Sequence, residues 1–122
     1  MTRKPRILVV DDDDDQLQLL QRTLSAEGFD VMTTSSPLGA SNLARRFIPD
    51  VVLLDVNLPA LSGDRLLPLL RQSMDARLIL FSACDAERLR SLASRVSADD
   101  WIQKGGEPQD LVRRLKKLCD VR

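Results

Sequence analysis

Apolar residues in this chain fall into two kinds of stretch that alternate. The first kind is short and unbroken: Ile7-Leu8-Val9-Val10, Val51-Val52-Leu53-Leu54 and Leu78-Ile79-Leu80-Phe81. Runs of that length, bounded by turn residues, fit strands buried on both faces. The second kind is periodic. Leu17, Leu20 and Leu24 fall at helical spacing, as do Ala40, Leu43, Ala44 and Phe47. The same holds for Leu66, Leu67 and Leu70, for Leu89, Leu92 and Val96, and for Leu111, Leu115 and Leu118. Two weaker strands complete the pattern. One covers residues 30–35, where Val31 and Thr33 alternate with polar neighbours; the other is Trp101-Ile102-Gln103.

Local signals agree with the periodicity. Asp13 or Asp14 caps the first helix and Gly28 ends it. Ser36-Pro37 reads as an N-cap followed by proline at the first helical position, and Pro49 closes that segment. A third helix starts near residues 62–64, with Pro68 tolerable only in its first turn. Asp85 caps the fourth helix and Pro108 opens the fifth. Strand and helix thus alternate five times, which predicts an α/β fold with a parallel sheet and helices on both faces. With 122 residues the chain is long enough for one domain with its own core. The expectation is a single domain over 1–122, its core about 5–119, with no second or output domain encoded.

Composition narrows the chemistry. Basic and acidic residues balance at 18 each, so no net field favours nucleic acid or a membrane surface. No apolar run is long enough to cross a bilayer. The basic N-terminus is followed by only four apolar residues, too few for a signal peptide, and a cytoplasmic location is expected. Cys84 and Cys119 have no metal or redox spacing and are expected as reduced thiols. Histidine is absent, which excludes a Ser-His-Asp triad and a histidine-ligated zinc within this chain.

The strands end in chemistry. The first runs into Asp11 and Asp12, the third into Asp55, the fourth into Ser82 and the fifth into Lys104. In a doubly wound sheet these ends share one edge, the edge where ligands bind. Three carboxylates in a small space need a counter-charge, and Mg²⁺ prefers such oxygen ligands. A carboxylate nucleophile, a cation site, a hydroxyl and an ammonium together suit phosphoryl transfer onto Asp55. Taken singly, each has a plainer reading. Asp55 serves as well in a turn or as a cap, Ser82 as a strand end and Lys104 as a surface lysine; their shared register is what argues otherwise.

The motifs Ile-Leu-Val-Val-Asp-Asp, Pro-Asp-Val-Val-Leu-Leu-Asp-Val-Asn-Leu-Pro-Ala-Leu-Ser-Gly, Ser-Ala and Ala-Asp-Asp-Trp-Ile-Gln-Lys together resemble the response-regulator receiver domain of bacterial two-component signalling. The resemblance covers roughly residues 5–119. It implies a five-stranded sheet in the order 2-1-3-4-5. It implies Asp55 as phosphoacceptor, fed by a histidine kinase, a phosphotransfer protein or a small acyl phosphate. It implies Mg²⁺ (or Mn²⁺) held by Asp12, Asp55 and the backbone carbonyl of Asn57, with Asp11 acting largely through water. Ser82 matches the switch hydroxyl, Lys104 the family's lysine and Trp101 the switch aromatic. The output surface implied is the fourth helix, fifth strand and fifth helix, reaching a downstream protein. No nucleic-acid or membrane contact follows for this chain, and the expected state is a monomer or a weak phosphorylation-dependent dimer. The only catalysis implied is of its own phosphorylation and hydrolysis.

Some features weigh differently. Asp13, Asp14 and Asp15 exceed what a metal site needs and read as capping and solvated charge at a helix N-terminus. Trp101 is equally compatible with packing at a sheet edge, and Cys84 with a small apolar residue capping a strand. The basic face of the last helix reads first as solvated. Where most receivers place proline after the lysine, this chain has Gly105-Gly106, so a trans Lys104–Gly105 bond is expected. Two other functions compete: a receiver-fold scaffold indifferent to phosphorylation, and an aspartate-nucleophile phosphatase. The latter class needs a second Asp two residues past the nucleophile, where this chain has Asn57. A flavin-binding flavodoxin is disfavoured because the Asp run would repel phosphate.

Overall fold

A computed structural model describes residues 3–55 and 75–120. In chain order the described elements are β1 (Arg6–Val10), α1 (Asp14–Ala26), β2 (Asp30–Thr34), α2 (Pro37–Phe47), β3 (Val51–Leu54), β4 (Arg77–Ser82), α3 (Ala86–Val96), β5 (Asp100–Gln103) and α4 (Pro108–Asp120). The helix expected from Leu66, Leu67 and Leu70 lies outside the described residues, as does Asn57. The expected fourth and fifth helices are therefore α3 and α4 here.

The strands form one parallel sheet in the order β2-β1-β3-β4-β5. Side chains alternate across it with the period of two that strand geometry imposes. Leu8, Val10, Val52, Leu54 and Leu80 face one side, under Ala40 and Ala44 of α2 and Leu89 and Ala93 of α3. Ile7, Val9, Leu53, Ile79 and Ile102 face the other, under Leu17, Leu20 and Leu24 of α1 and Leu111 and Leu115 of α4. Two-sided burial is why β1, β3 and β4 read as unbroken apolar runs. β2 is an edge strand, half-buried along most of its length, which explains its weaker alternation.

Capping follows the chemistry of the residues before each helix. The Asp13 carboxylate accepts from the N–H groups of Asp15 and Gln16, the Ser36 hydroxyl from Gly39, and the Asp85 carboxylate from Arg88. Each satisfies a donor that the first helical turn leaves without an intrahelical partner. Gly28 follows α1 at φ +93°, in the left-handed region where glycine carries no Cβ penalty. Among the described residues, no helix is long and apolar enough to cross a membrane.

Candidate functional site

The sheet ladder continues one residue past three strands, and those residues carry the charges. Asp11 N–H donates to the Thr34 carbonyl at 3.2 Å, Asp55 N–H to that of Val10 at 3.0 Å, and Lys104 N–H to that of Ser82 at 2.8 Å. The backbone of each is thus held by a neighbouring strand, so the side chains start from rigid positions at one edge. β1 and β3 are direct neighbours, and the two aspartates follow the paired residues Val10 and Leu54.

Two of the three carboxylates are out of water, Asp11 at 1% and Asp55 at 4% exposure, while Asp12 is exposed. The Lys104 ammonium donates to Asp11 Oδ2 at 2.7 Å and to Asp55 Oδ2 at 3.3 Å. It also lies 5.7 Å from the centre of the Phe81 ring, on which a cation is favourably placed. Burial pushes the Lys104 pKa down. The hydrogen bond and charge of Asp11, with those of Asp55, outweigh it and leave the pKa above the usual lysine value. Asp11 Oδ1 accepts from the Asp13 N–H at 3.0 Å, which fixes the carboxylate's orientation.

Asp11, Asp12 and Asp55 each offer an oxygen, and these three atoms lie within 4.8 Å of one another. An all-oxygen, anionic donor set fits a hard divalent cation such as Mg²⁺ and does not fit a soft metal. Arithmetic points the same way. Among the described residues, three clustered carboxylates share the neighbourhood of one ammonium, so the cluster carries more negative than positive charge.

Ser82 is the last residue of β4, which extends the apolar run 78–81 by one residue at each end, and is fully buried. Its hydroxyl accepts from the Cys84 N–H at 3.4 Å. Trp101 is half-buried and packs against the core on the α2/α3 side of the sheet. β5 starts one residue before the expected 101–103, at Asp100. The structure therefore brings Asp11, Asp12, Asp55 and Lys104 together, and sets Ser82 and Trp101 at the ends and face of the adjoining strands.

The Lys104–Gly105 bond is trans, as no described peptide bond is cis. Gly105 stands at φ +96°, and a Cβ added there would meet nothing within 4 Å, so backbone conformation and not crowding calls for glycine. Gly105, which in the sequence stands out only as a departure from the family's proline, makes the turn into α4. Sequence reasoning overlooked Gln103: its amide N–H donates to the Cys84 carbonyl at 3.1 Å. A long polar residue at the end of a strand beside Lys104 was its only sequence signal.

A family model described as the response regulator receiver domain matches residues 7–116. The transcriptional regulatory protein PrrA of Mycobacterium tuberculosis is 36% identical over 115 residues, covering 93% of this chain and 49% of that protein. The alkaline phosphatase synthesis transcriptional regulatory protein PhoP of Bacillus subtilis is 35% identical over 114 residues, covering 93% of this chain and 48% of its own length. The chain thus spans about half the length of the curated relatives it matches. Among solved structures, the BeF3-activated N-terminal receiver domain of Klebsiella pneumoniae RstA superposes with a TM-score of 0.86 at 28% identity, covering 95% of this chain and 99% of that one.

Proposed function

This chain belongs to the response regulator receiver domain family, and on that premise we propose that Asp55 is its phosphoacceptor and that Asp11, Asp12 and Lys104 make the transfer possible. One observation carries the reading: the Lys104 ammonium bridges Asp11 at 2.7 Å and Asp55 at 3.3 Å inside a three-carboxylate cluster. An Asp55 oxygen attacks phosphorus, and the bond from phosphorus to the donor breaks. The leaving group, an imidazole nitrogen of a kinase or phosphotransfer protein or the oxygen of an acyl phosphate, takes the electron pair. Asp11, Asp12 and Asp55 would hold Mg²⁺ (or Mn²⁺), which when bound offsets charge on the phosphoryl oxygens. Lys104 is already seated against Asp55, so its ammonium needs little reorganisation to pair with a phosphoryl oxygen there. Asn57, expected to lend its carbonyl to the cation, is kept as part of this proposal.

Ser82 then donates its hydroxyl to the phosphoryl group, and the α3–β5–α4 surface with Trp101 transmits the change to a downstream partner. The chain acts on itself and turns over no separate substrate. Its place is with a histidine kinase on one side and an effector protein on the other, in the cytoplasm, as a monomer or a weak dimer.

Incubation with Mg²⁺ and acetyl phosphate, followed by intact mass, tests the reading. One phosphoryl group is expected on the protein and none on Asp55→Asn. Absence of the adduct, together with absence of Mg²⁺-dependent beryllofluoride binding, would overturn it in favour of a scaffold.

A further inference from the structure

The loop between β4 and α3 is gripped at one residue. Cys84 donates its backbone N–H to the Ser82 hydroxyl at 3.4 Å and accepts on its carbonyl from the Gln103 amide at 3.1 Å. Both of its backbone polar groups are therefore engaged, one by the proposed switch hydroxyl and one by the residue just before Lys104.

The sequence explains why Gln103 can do this. Along β5, Ile102 joins the core on the α1/α4 side while Trp101 packs on the α2/α3 side. Strand alternation returns Gln103 to the face of Trp101, at the carboxyl end of the strand, where the β4–α3 loop passes. Gln103 pairs with Ser82 in the ladder, so the two residues leave their strands side by side. A glutamine spans the remaining gap; a carbonyl accepts only, so the amide nitrogen must face it.

The consequence lies in the Ser82 hydroxyl, which has one proton and two lone pairs. A hydroxyl that accepts from Cys84 N–H on one lone pair still carries a proton it can donate. Leu54 pairs with Leu80, so Asp55 and Ser82 leave adjacent strands at neighbouring levels. We propose that Gln103 is a positioning residue: by holding the Cys84 carbonyl it keeps Cys84 N–H on Ser82 and so presents the Ser82 hydroxyl proton to a phosphoryl group on Asp55. The proposal rests on Asp55 being the phosphoacceptor, and it concerns how that group is received. Gln103 itself touches neither Asp55 nor Lys104 among the hydrogen bonds it makes.

The test is a thermodynamic cycle. Gln103→Met keeps the length of the side chain and removes the donor; Gln103 is exposed, so folding is expected to survive, checked by thermal melting. Beryllofluoride affinity in Mg²⁺ is measured by calorimetry for the wild type, Gln103→Met, Ser82→Ala and the double variant. Gln103→Met is expected to weaken binding about three- to ten-fold, the worth of one hydrogen bond. In the Ser82→Ala background the same change is expected to do almost nothing, because its route is gone. Affinity for Mg²⁺ alone is expected to stay the same in all four. Unchanged or tighter beryllofluoride binding by Gln103→Met would overturn the proposal, as would an equal loss in both backgrounds. A wild type that binds no beryllofluoride and gains no phosphoryl group would overturn the phosphoacceptor reading instead, and this proposal with it.

Discussion

The two ends of the sheet treat charge in opposite ways. At the amino ends, Arg3 pairs with Asp50 at 3.1 Å and Arg6 with Asp30 at 3.8 Å, each cation with a carboxylate of its own and in contact with water. Asp50 also serves the backbone, accepting the Arg6 N–H at 2.8 Å on its side chain and the Arg77 N–H at 3.0 Å on its carbonyl. Within these two pairs charge is matched one to one. At the carboxyl ends, among the described residues, three carboxylates cluster and one ammonium pairs with the two buried ones. At the amino end these pairs secure the strands. At the carboxyl end, among the described residues, negative charge exceeds positive, which is what a cation site built from the same residue types requires.

The largest effect expected from that difference comes from removing the one ammonium. Lys104→Met leaves Asp11 and Asp55 buried without their shared partner, which costs about 3 kcal/mol of stability in a chelator-treated sample. Mg²⁺ should recover part of the loss by supplying the missing charge to the same oxygens. The pH dependence has a definite sign. The folded pKa of Lys104 is raised above its ordinary value of 10.5, so its contribution is full below that pH and is lost as pH rises through the folded pKa. The gap between wild type and variant in urea unfolding should hold steady from neutrality upward and close only in strong alkali. A variant as stable as the wild type without Mg²⁺ would break the comparison.

At the other end, Asp50→Ala should cost about 2 kcal/mol, since it leaves the part-buried Arg6 N–H without its acceptor and releases Arg3. Here Mg²⁺ should recover nothing. Hydrogen exchange would show the Arg6 amide losing protection first. An Asp50→Ala protein rescued by Mg²⁺ would mean that the two ends are coupled and the contrast is wrong.

How far these differences were legible beforehand depends on the length scale of the signal. The buried runs before Asp11 and Asp55 announce themselves, because a strand covered on both faces must be continuously apolar. The caps at Asp13, Ser36 and Asp85 are equally local. The strand order is not local: alternation gives a parallel sheet, and the position of β1 between β2 and β3 came from family resemblance. Asp50 was invisible because its partners Arg3, Arg6 and Arg77 come from two other segments. Gln103 was invisible for the same reason, its acceptor lying 19 residues away on Cys84. Ile48, a β-branched residue at φ 52° after α2, runs against its own preference, and only the tertiary setting, with Arg6 donating to the Phe47 carbonyl at 2.7 Å, accompanies it.

The smallest effect has the opposite sign, and for that reason it discriminates best. Asp12 is the exposed member of the acidic cluster. Asp12→Asn removes one of three negative charges while leaving the bonds from Lys104 to Asp11 and Asp55 in place. In the absence of Mg²⁺ the substitution should therefore stabilise the protein, by about 0.5 kcal/mol given how well water screens an exposed charge. In the presence of Mg²⁺ the order should reverse, because the wild type gains from binding and the variant has lost a ligand. A crossing of the two melting temperatures as Mg²⁺ is added thus separates a binding site from an acidic surface. If Asp12 were only solvated charge, added Mg²⁺ would shift both proteins alike. If it were a structural cap, the variant would be the less stable one at every concentration.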